Sequence, residues 1–281
     1  MCKIRLVALD LDGTLFDNNS QISEHNLKTI QTAVNNGVHV VISTGRPFAG
    51  IPFEQFKDTG IQYAITANGS AIYEIATKKC LAEEAMDEKT ILPILDFLLS
   101  KDIHMDAFIG GKGYSPLQCV PAGQKLTVPA SLKHYILNTR VRVENLPEFI
   151  QENHLKVQKM TLNFFPTENG EFKDRAEVRR FLEATPAVSC VSGGYNNLEF
   201  TRSDVNKGTA LLTLSDLLHV SQEETMAIGD TGNDLAILTA AKIGVAMGNA
   251  TDDVKKQADY VTAENTKDGV ALAIEHFIWN K

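Results

Sequence analysis

No C-x-x-C pair occurs in this chain. Its four cysteines, Cys2, Cys80, Cys119 and Cys190, are scattered over 281 residues, which fits reduced structural thiols rather than a disulfide framework. The seven histidines are equally dispersed. With no H-E-x-x-H, a zinc centre is not expected. No apolar stretch approaches the ~20 residues a membrane span requires. The N-terminal "MCKIRLVALDLDG" holds an apolar run too short for a signal-peptide core, and the run ends in two acids. Basic charge is scarce: 27 Lys and Arg against 35 Asp and Glu leave a net charge of −8. Nucleic acid would be repelled on average, whereas a local group of N–H donors, Lys and metal still binds phosphate in an acidic protein. There are no repeats and no low-complexity segments. These absences predict a cytoplasmic protein without a membrane or nucleic-acid partner.

What is present suits a folded enzyme-sized chain. Hydrophobic residues make up 43% and charged residues 22%, enough for a core without staples. The length fits one large or two modest domains. "IRLVAL" (4–9) reads as a strand buried on both faces. Ser23 reads as an N-cap, and Leu27, Ile30 and Val34 follow at helical spacing until Gly37. Residues 38–43 predict a second strand, 47–57 a helix and 62–67 a third strand. Such a β-α-β-α-β order implies a parallel sheet with right-handed crossovers.

The pattern changes after about residue 70. Short strands pair ("AIYEI", "KCLAEE"), 88–100 reads as an amphipathic helix, and "HMDAFIGGKGYSPL" reads as a hairpin about Gly110-Gly111. A long mixed region is expected up to Asn153. A strand, a helix over 171–184 and a strand pair follow. After residue 205 alternating helices and strands return. The economical reading is an α/β parallel-sheet domain built from residues 1–81 and 196–281, with an α+β domain of residues 82–195 inserted into it.

In an open parallel sheet, ligands bind beyond the carboxyl ends of the strands. Those ends here are Asp10-x-Asp12-Gly13-Thr14, Ser43-Thr44-Gly45-Arg46, Asn68-Gly69, Gly229-Asp230-Thr231-Gly232-Asn233-Asp234 and Met247-Gly248-Asn249. All point polar groups at one edge. D-x-D-G alone is as often a turn. Asp230 and Asp234 on another strand alter that reading, because converging carboxylates repel and raise each other's pKa. An all-oxygen set of this kind suits Mg²⁺. Thr44, the bare amide of Gly45, Lys207 and Asn233 are the donors that an anion beside such a cation would require. Taken singly, Lys207 is more often a solvated lysine and Thr44 an ordinary strand-end hydroxyl.

"DLDGT", "STGRP", "NKG" and "GDTGND", in this order, resemble the four motifs of the haloacid dehalogenase-like superfamily. "ITANGS", "VAMGNATDDVKKQADYV" and "NTKDGVALAI" are similar to its Cof-type (IIB) branch. The likeness covers the core at both ends, and the inserted cap only by its size and position. It implies a Rossmann-like core with a C2B-type cap, and an Mg²⁺-dependent phosphatase acting on small phosphate monoesters. By this resemblance Asp10 attacks phosphorus to give an aspartyl-phosphate, and Asp12 serves as general acid and then as base. Asp10, the carbonyl of Asp12 and Asp230 would hold Mg²⁺, with Asp234 helping directly or through water. Thr44, Lys207, Asn233 and the amides of Leu11 and Gly45 would hold the phosphoryl oxygens. Arg46 and Asn68 lie near this edge by the strand-end rule and receive no firm role.

Cap closure would exclude water, so specificity is expected in the cap, with Gly110–Tyr114 and Gly193–Asn197 as candidates. For the first, a hairpin turn is favoured over a phosphate loop, because no G-K-[ST] precedes a helix. A hexose or other sugar phosphate is the expected substrate, with nucleotides and cofactor phosphates such as flavin or pyridoxal phosphate as alternatives. Two rivals remain at this stage. A phosphomutase would use the same motifs. A phospho-acceptor switch would be about half this length and would have no inserted domain.

Overall fold

The computed structural model describes residues 3–128, 130–192 and 197–279. It forms two compact units. Met1–Arg46, Ile51–Ala82 and Asn206–Lys281 make the first, and Pro47–Gly50 with Glu83–Val205 make the second.

Strand β1 (Leu6–Leu9) is buried at every position, as a central strand covered on both faces should be. Helix α1 (Glu24–Asn35) starts at Ser23, whose side chain accepts the Asn26 N–H. Strands β2 (His39–Ser43) and β3 (Tyr63–Thr66) lie parallel to β1 and to each other in turn. The helix expected over 47–57 is absent. Two single 3₁₀ turns, Phe48–Gly50 and Phe53–Gln55, take its place. Between them Pro52 lacks an N–H and Gly50 is a poor helix former, so no α-helix propagates. Strand β4 (Ala71–Glu74) turns back antiparallel on β3, and β5 (Lys79–Glu83) ends this run.

The second unit opens with α2 (Glu88–Leu99), capped by Asp87 and burying Ile91, Ile94, Leu95 and Leu98. Strands β6 (His104–Ile109) and β7 (Lys112–Pro116) form the expected hairpin. Its turn residues, Gly110 and Gly111, have φ of 53° and 76°, the left-handed pair that a tight hairpin requires. Helices α3 (Val120–Gly123), α4 (Ala130–Thr139) and α5 (Leu146–Glu152) and strand β8 (Val141–Val143) occupy the stretch expected to be a long mixed region. Two of these helices last barely two turns or less, so they show no full hydrophobic period. Pro121 and Pro147 stand in their first turns, where a missing N–H costs nothing. Strand β9 (Lys159–Asn163), helix α6 (Arg175–Glu183) and strands β10 (Val188–Val191) and β11 (Leu198–Arg202) complete the unit.

Its six strands are ordered β10-β11-β9-β6-β7-β8. Met105, Ala107, Met160, Leu162, Leu198 and Phe200 enter its apolar core. The alternate positions Asp106, Lys159, Thr161 and Glu199 take the opposite face. Because β11 bonds both β9 and β10, the chain stays in this sheet beyond the return expected at 195–196 and leaves it after Val205. Of the Gly193–Asn197 segment, residues 193–196 lie outside the described residues; Asn197 accepts the Ser192 hydroxyl through its carbonyl.

The chain then supplies α7 (Lys207–Leu217), β12 (Thr225–Gly229), α8 (Leu235–Ala240), β13 (Ile243–Ala246), α9 (Asp252–Gln257), β14 (Tyr260–Val261) and α10 (Gly269–Trp279). The first unit's sheet runs β14-β13-β12-β1-β2-β3-β4-β5. It is parallel from β14 to β3. β1 lies between β2 and β12, where the chain order leaves in both directions. That is the switch point of a doubly wound α/β sheet, and its crevice opens at the strands' carboxyl ends. Among the described residues no helix is long and apolar enough to cross a membrane.

Candidate active site

Three carboxylates meet beyond β1 and β12. Asp10, Asp230 and Asp234 each bring an oxygen within 4.8 Å of the others, and all three residues are buried. The parallel register explains the meeting: Leu9 faces Ile228, and the Asp10 N–H donates to the Ile228 carbonyl at 3.0 Å. Lys207, at the start of α7, sits between them. Its fully buried Nζ donates to Asp10 Oδ1 and Asp234 Oδ1, both at 2.6 Å. Asn206 caps that helix by accepting the Thr209 N–H, which fixes where Lys207 enters.

Asp234 is held on its other oxygen as well. Its Oδ2 accepts the backbone N–H groups of Asp230 and Thr231 at 3.0 and 3.1 Å. A Cβ at Gly229 would strike the Asp234 side chain, so the close approach needs glycine there. Asp230 accepts the Thr14 hydroxyl at 3.0 Å. Gly13 has φ of 87°, and a Cβ there would overlap the Asp230 carboxylate. The glycine of "DLDGT" is thus required twice, by conformation and by space.

Three carboxylates and one ammonium leave a net negative charge in a buried place. Burial first, then the charge of Asp234, raises the Asp10 carboxyl well above its ordinary range. Burial and Asp234 likewise push Asp230 up to about 7. For Lys207 burial opposes the charge, but Asp10 and Asp234 outweigh it and raise its pKa. The donor set is all oxygen, under-compensated, and small enough for one divalent cation. The Asp cluster therefore fits a metal ion.

The other residues named from sequence fall as follows. Thr44 is buried at the end of β2, and its hydroxyl accepts the Arg46 N–H at 3.2 Å. Gly45 is half-buried beside it. Leu11 is fully buried, and its carbonyl accepts the Phe16 N–H at 2.8 Å. Asn233 donates to Asn68 Oδ1 at 3.3 Å and accepts the Thr231 hydroxyl at 2.6 Å. Asn68 reaches it from a left-handed backbone, φ 58°. Asp12 stands apart from the carboxylate trio. Its exposed side chain meets Arg46 in a two-toothed pair, Nε to Oδ2 at 2.8 Å and Nη2 to Oδ1 at 2.6 Å.

Sequence reasoning gave no role to Arg46 and missed the frame of the first loop. Asn249 donates to the Gly13 carbonyl at 2.8 Å, and Asn265 donates to the Phe16 carbonyl at 2.9 Å. Asn249 was visible as a strand-end residue. Asn265 lies between elements, and no strand-end rule could have found it.

The haloacid dehalogenase-like hydrolase family matches residues 7–274. A Bacillus subtilis protein named 5-amino-6-(5-phospho-D-ribitylamino)uracil phosphatase YcsE is 32% identical over 98% of this chain and 96% of its own length. A solved haloacid dehalogenase-like hydrolase from B. subtilis superposes with a TM-score of 0.83 at 30% identity, covering 97% of this chain and 99% of the other. The solved subclass IIB sugar phosphatase BT4131 gives a TM-score of 0.79 at 26% identity, covering 97% and 98%. With the family matched over nearly the whole chain and its acidic site assembled at the switch point, this chain belongs to the haloacid dehalogenase-like hydrolases, in the Cof-type IIB branch, and is a phosphoric monoester hydrolase.

Proposed function

We propose that this phosphatase depends on Mg²⁺ and hydrolyses small phosphate monoesters, sugar phosphates foremost, through an aspartyl-phosphate on Asp10. The observation that carries this reading is the buried trio Asp10, Asp230 and Asp234 around Lys207 at the carboxyl ends of β1 and β12.

Lys207 occupies Asp10 Oδ1. Among the described residues Asp10 Oδ2 takes no hydrogen bond, which leaves it to attack phosphorus. An ammonium has three donors. Two of Lys207's are spent on carboxylates, and the third serves a phosphoryl oxygen. Thr44, Asn233 and the amides of Leu11 and Gly45 complete the phosphoryl contacts as charge spreads in the transition state. Asp12 gives its proton to the departing alcohol, and later takes one from the water that hydrolyses the aspartyl-phosphate. Asp10, the Asp12 carbonyl and Asp230, with Asp234 directly or through water, would hold Mg²⁺, which when bound neutralises the carboxylates and the phosphoryl oxygens.

The names of two of the similar proteins support this substrate class. A phosphoribityl group and a sugar phosphate both carry phosphate on a polyhydroxylated chain. The inserted unit is assigned the choice of ester, with the Gly110–Tyr114 hairpin as one candidate for it.

A panel of phosphate esters ranked by kcat/KM, with phosphate release and product identity both read, tests the proposal. Hexose and pentitol phosphates should lead the ranking. EDTA should silence the enzyme and Mg²⁺ restore it. Activity surviving chelation would remove the metal from the reading. An isomerised sugar without phosphate release would make the enzyme a mutase, and a long-lived phospho-protein would make it a switch.

A further inference from the structure

Arg46 and Asp12 form a pair that a surface salt bridge does not explain. Asp12 is exposed, with 56% of its side chain open to solvent, while Arg46 is only 18% open. Exposed ion pairs contribute about 0–1 kcal/mol, so stability alone gives little reason to build one with care. This one is built with care. The Arg46 backbone is held on both sides: its N–H donates to the Thr44 hydroxyl at 3.2 Å, and its carbonyl accepts the Ala67 N–H at 2.9 Å. Its guanidinium lies over the Phe16 ring, 5.4 Å from the centroid. Phe16 is itself buried and stacks on Phe56 at 6.0 Å. The fork is therefore fixed before it meets the carboxylate, and both Asp12 oxygens are engaged. A planar fork fixes the plane of a carboxylate, which a lysine cannot do.

Asp12 needs such an external hold. It stands on the short loop after β1, next to Gly13, whose backbone sits in the left-handed region. The carbonyls on that loop are tied down by Asn249 and Asn265. The loop backbone is thus set, and the Asp12 carboxyl group remains to be oriented.

We propose that Arg46 is a positioning residue for proton transfer: it fixes the plane of the Asp12 carboxyl, one oxygen staying on the guanidinium while the other, when it carries the proton, turns to the ester's leaving oxygen. The proposal rests on Asp12 being the acid and base of the reaction. In the first step the P–O bond to the alcohol breaks as the bond to Asp10 forms, and the Asp12 proton passes to the alcohol oxygen. In the second step water attacks phosphorus, its proton passes to Asp12, and the bond from phosphorus to Asp10 breaks, releasing phosphate and restoring the Asp10 carboxylate. In this role Arg46 acts through Asp12 and narrows the positions from which Asp12 acts.

The test compares leaving groups. An alkoxide leaves poorly without a proton, whereas 4-nitrophenolate leaves without one. For Arg46→Ala, kcat/KM toward a hexose 6-phosphate should fall about 30-fold, the size of a misplaced acid. Toward 4-nitrophenyl phosphate it should fall less than about threefold, since that ratio reads only as far as phosphoryl transfer. The aryl ester should then show a burst of nitrophenol, because intermediate hydrolysis still needs the Asp12 base. Guanidinium ion at millimolar concentration should restore alkyl-ester turnover in Arg46→Ala, and Arg46→Lys should restore little. Equal losses for both esters, without guanidinium rescue, would mark Arg46 as merely structural and overturn the proposal. Asp12→Asn separates the two readings. If it spares the aryl ester while Arg46→Ala does not, the positioning role alone fails. If Asp12→Asn loses both esters equally, the acid role of Asp12 fails and the proposal falls with it.

Discussion

Each unit buries a cluster of charge, and the two are balanced differently. In the first unit three carboxylates share the single ammonium of Lys207. In the second, the one carboxylate of Asp106 meets Arg140 at 2.8 Å, accepts the Ser115 hydroxyl and lies 3.7 Å from His104. Beside it Lys159 pairs with Glu199 at 2.9 Å. The Arg140 guanidinium also covers the Phe108 and Tyr135 rings at 5.2 and 4.7 Å. Both clusters are buried. In the first, burial and like charge drive Asp10 and Asp230 upward. In the second, burial pushes Asp106 up, but Arg140 and His104 outweigh it and hold the carboxyl below its usual range. A cluster left short of positive charge is poised for a cation or a proton; one that closes its own account is structure.

The largest expected effect breaks that contrast at its reacting atom. Asp10→Asn should lower turnover by more than about 10⁴-fold. Because the amide removes one of three repelling charges and still accepts from Lys207, melting of the metal-free variant should come at an equal or higher temperature. A clear drop in melting temperature would mean that the trio is structural, like the Asp106 cluster.

Next in size is Arg140→Met. It leaves Asp106 buried without its charge partner and should cost about 3–5 kcal/mol in denaturant unfolding of the second unit. The double variant Asp106→Leu with Arg140→Met should recover most of that loss. If the single variant unfolds like the parent, the cluster is not the balanced element described here.

The smallest effect is in pH. Asp230 binds a proton near pH 7 in the folded, metal-free protein and near its ordinary value of about 3.9 when unfolded. Between those values the folded state holds more protons, so stability should rise as pH falls through 7 toward about 4. Asp106 has the opposite sign. Its folded pKa is depressed, so its contribution is present above about 4 and is lost as pH falls further. Melting curves across this range, without metal, should therefore climb and then turn over. Added Mg²⁺ should flatten the climb by replacing the protons. A monotonic profile with and without Mg²⁺ would contradict the assigned asymmetry.

Much of the active-site edge could be read directly. Asp10 and Asp230 were legible because each directly follows an apolar strand, and parallel strands deliver their ends to one edge; Asp234 was legible as part of the same loop, four residues on from Asp230. Lys207 was legible only in company, since a lysine before a helix is ordinary until two carboxylates surround it. Arg46 was placed near the edge but not given a partner, because the choice between Asp12 and solvent depends on the Phe16 ring beneath it. Residues 117–153 were left as a mixed region without assigned elements for a local reason: α3 and α5 are too short to show a helical period, and the short β8 is fixed by pairing with β7 at the edge of the sheet.

The sequence by itself determined the alternation of strands and helices, the hairpin at Gly110-Gly111, the α1 cap at Ser23 and the run of polar strand ends. These are short-range matters of period, turn chemistry and capping, and each is written within a few residues. Tertiary structure alone decided that Lys207 bridges Asp10 and Asp234, that Asn265 holds the Phe16 carbonyl, and that Arg46 closes on Asp12. Those pairs are separated by tens to hundreds of positions along the chain. Only the order of strands in the sheet and the burial around each charge select one partner from the many that local sequence permits.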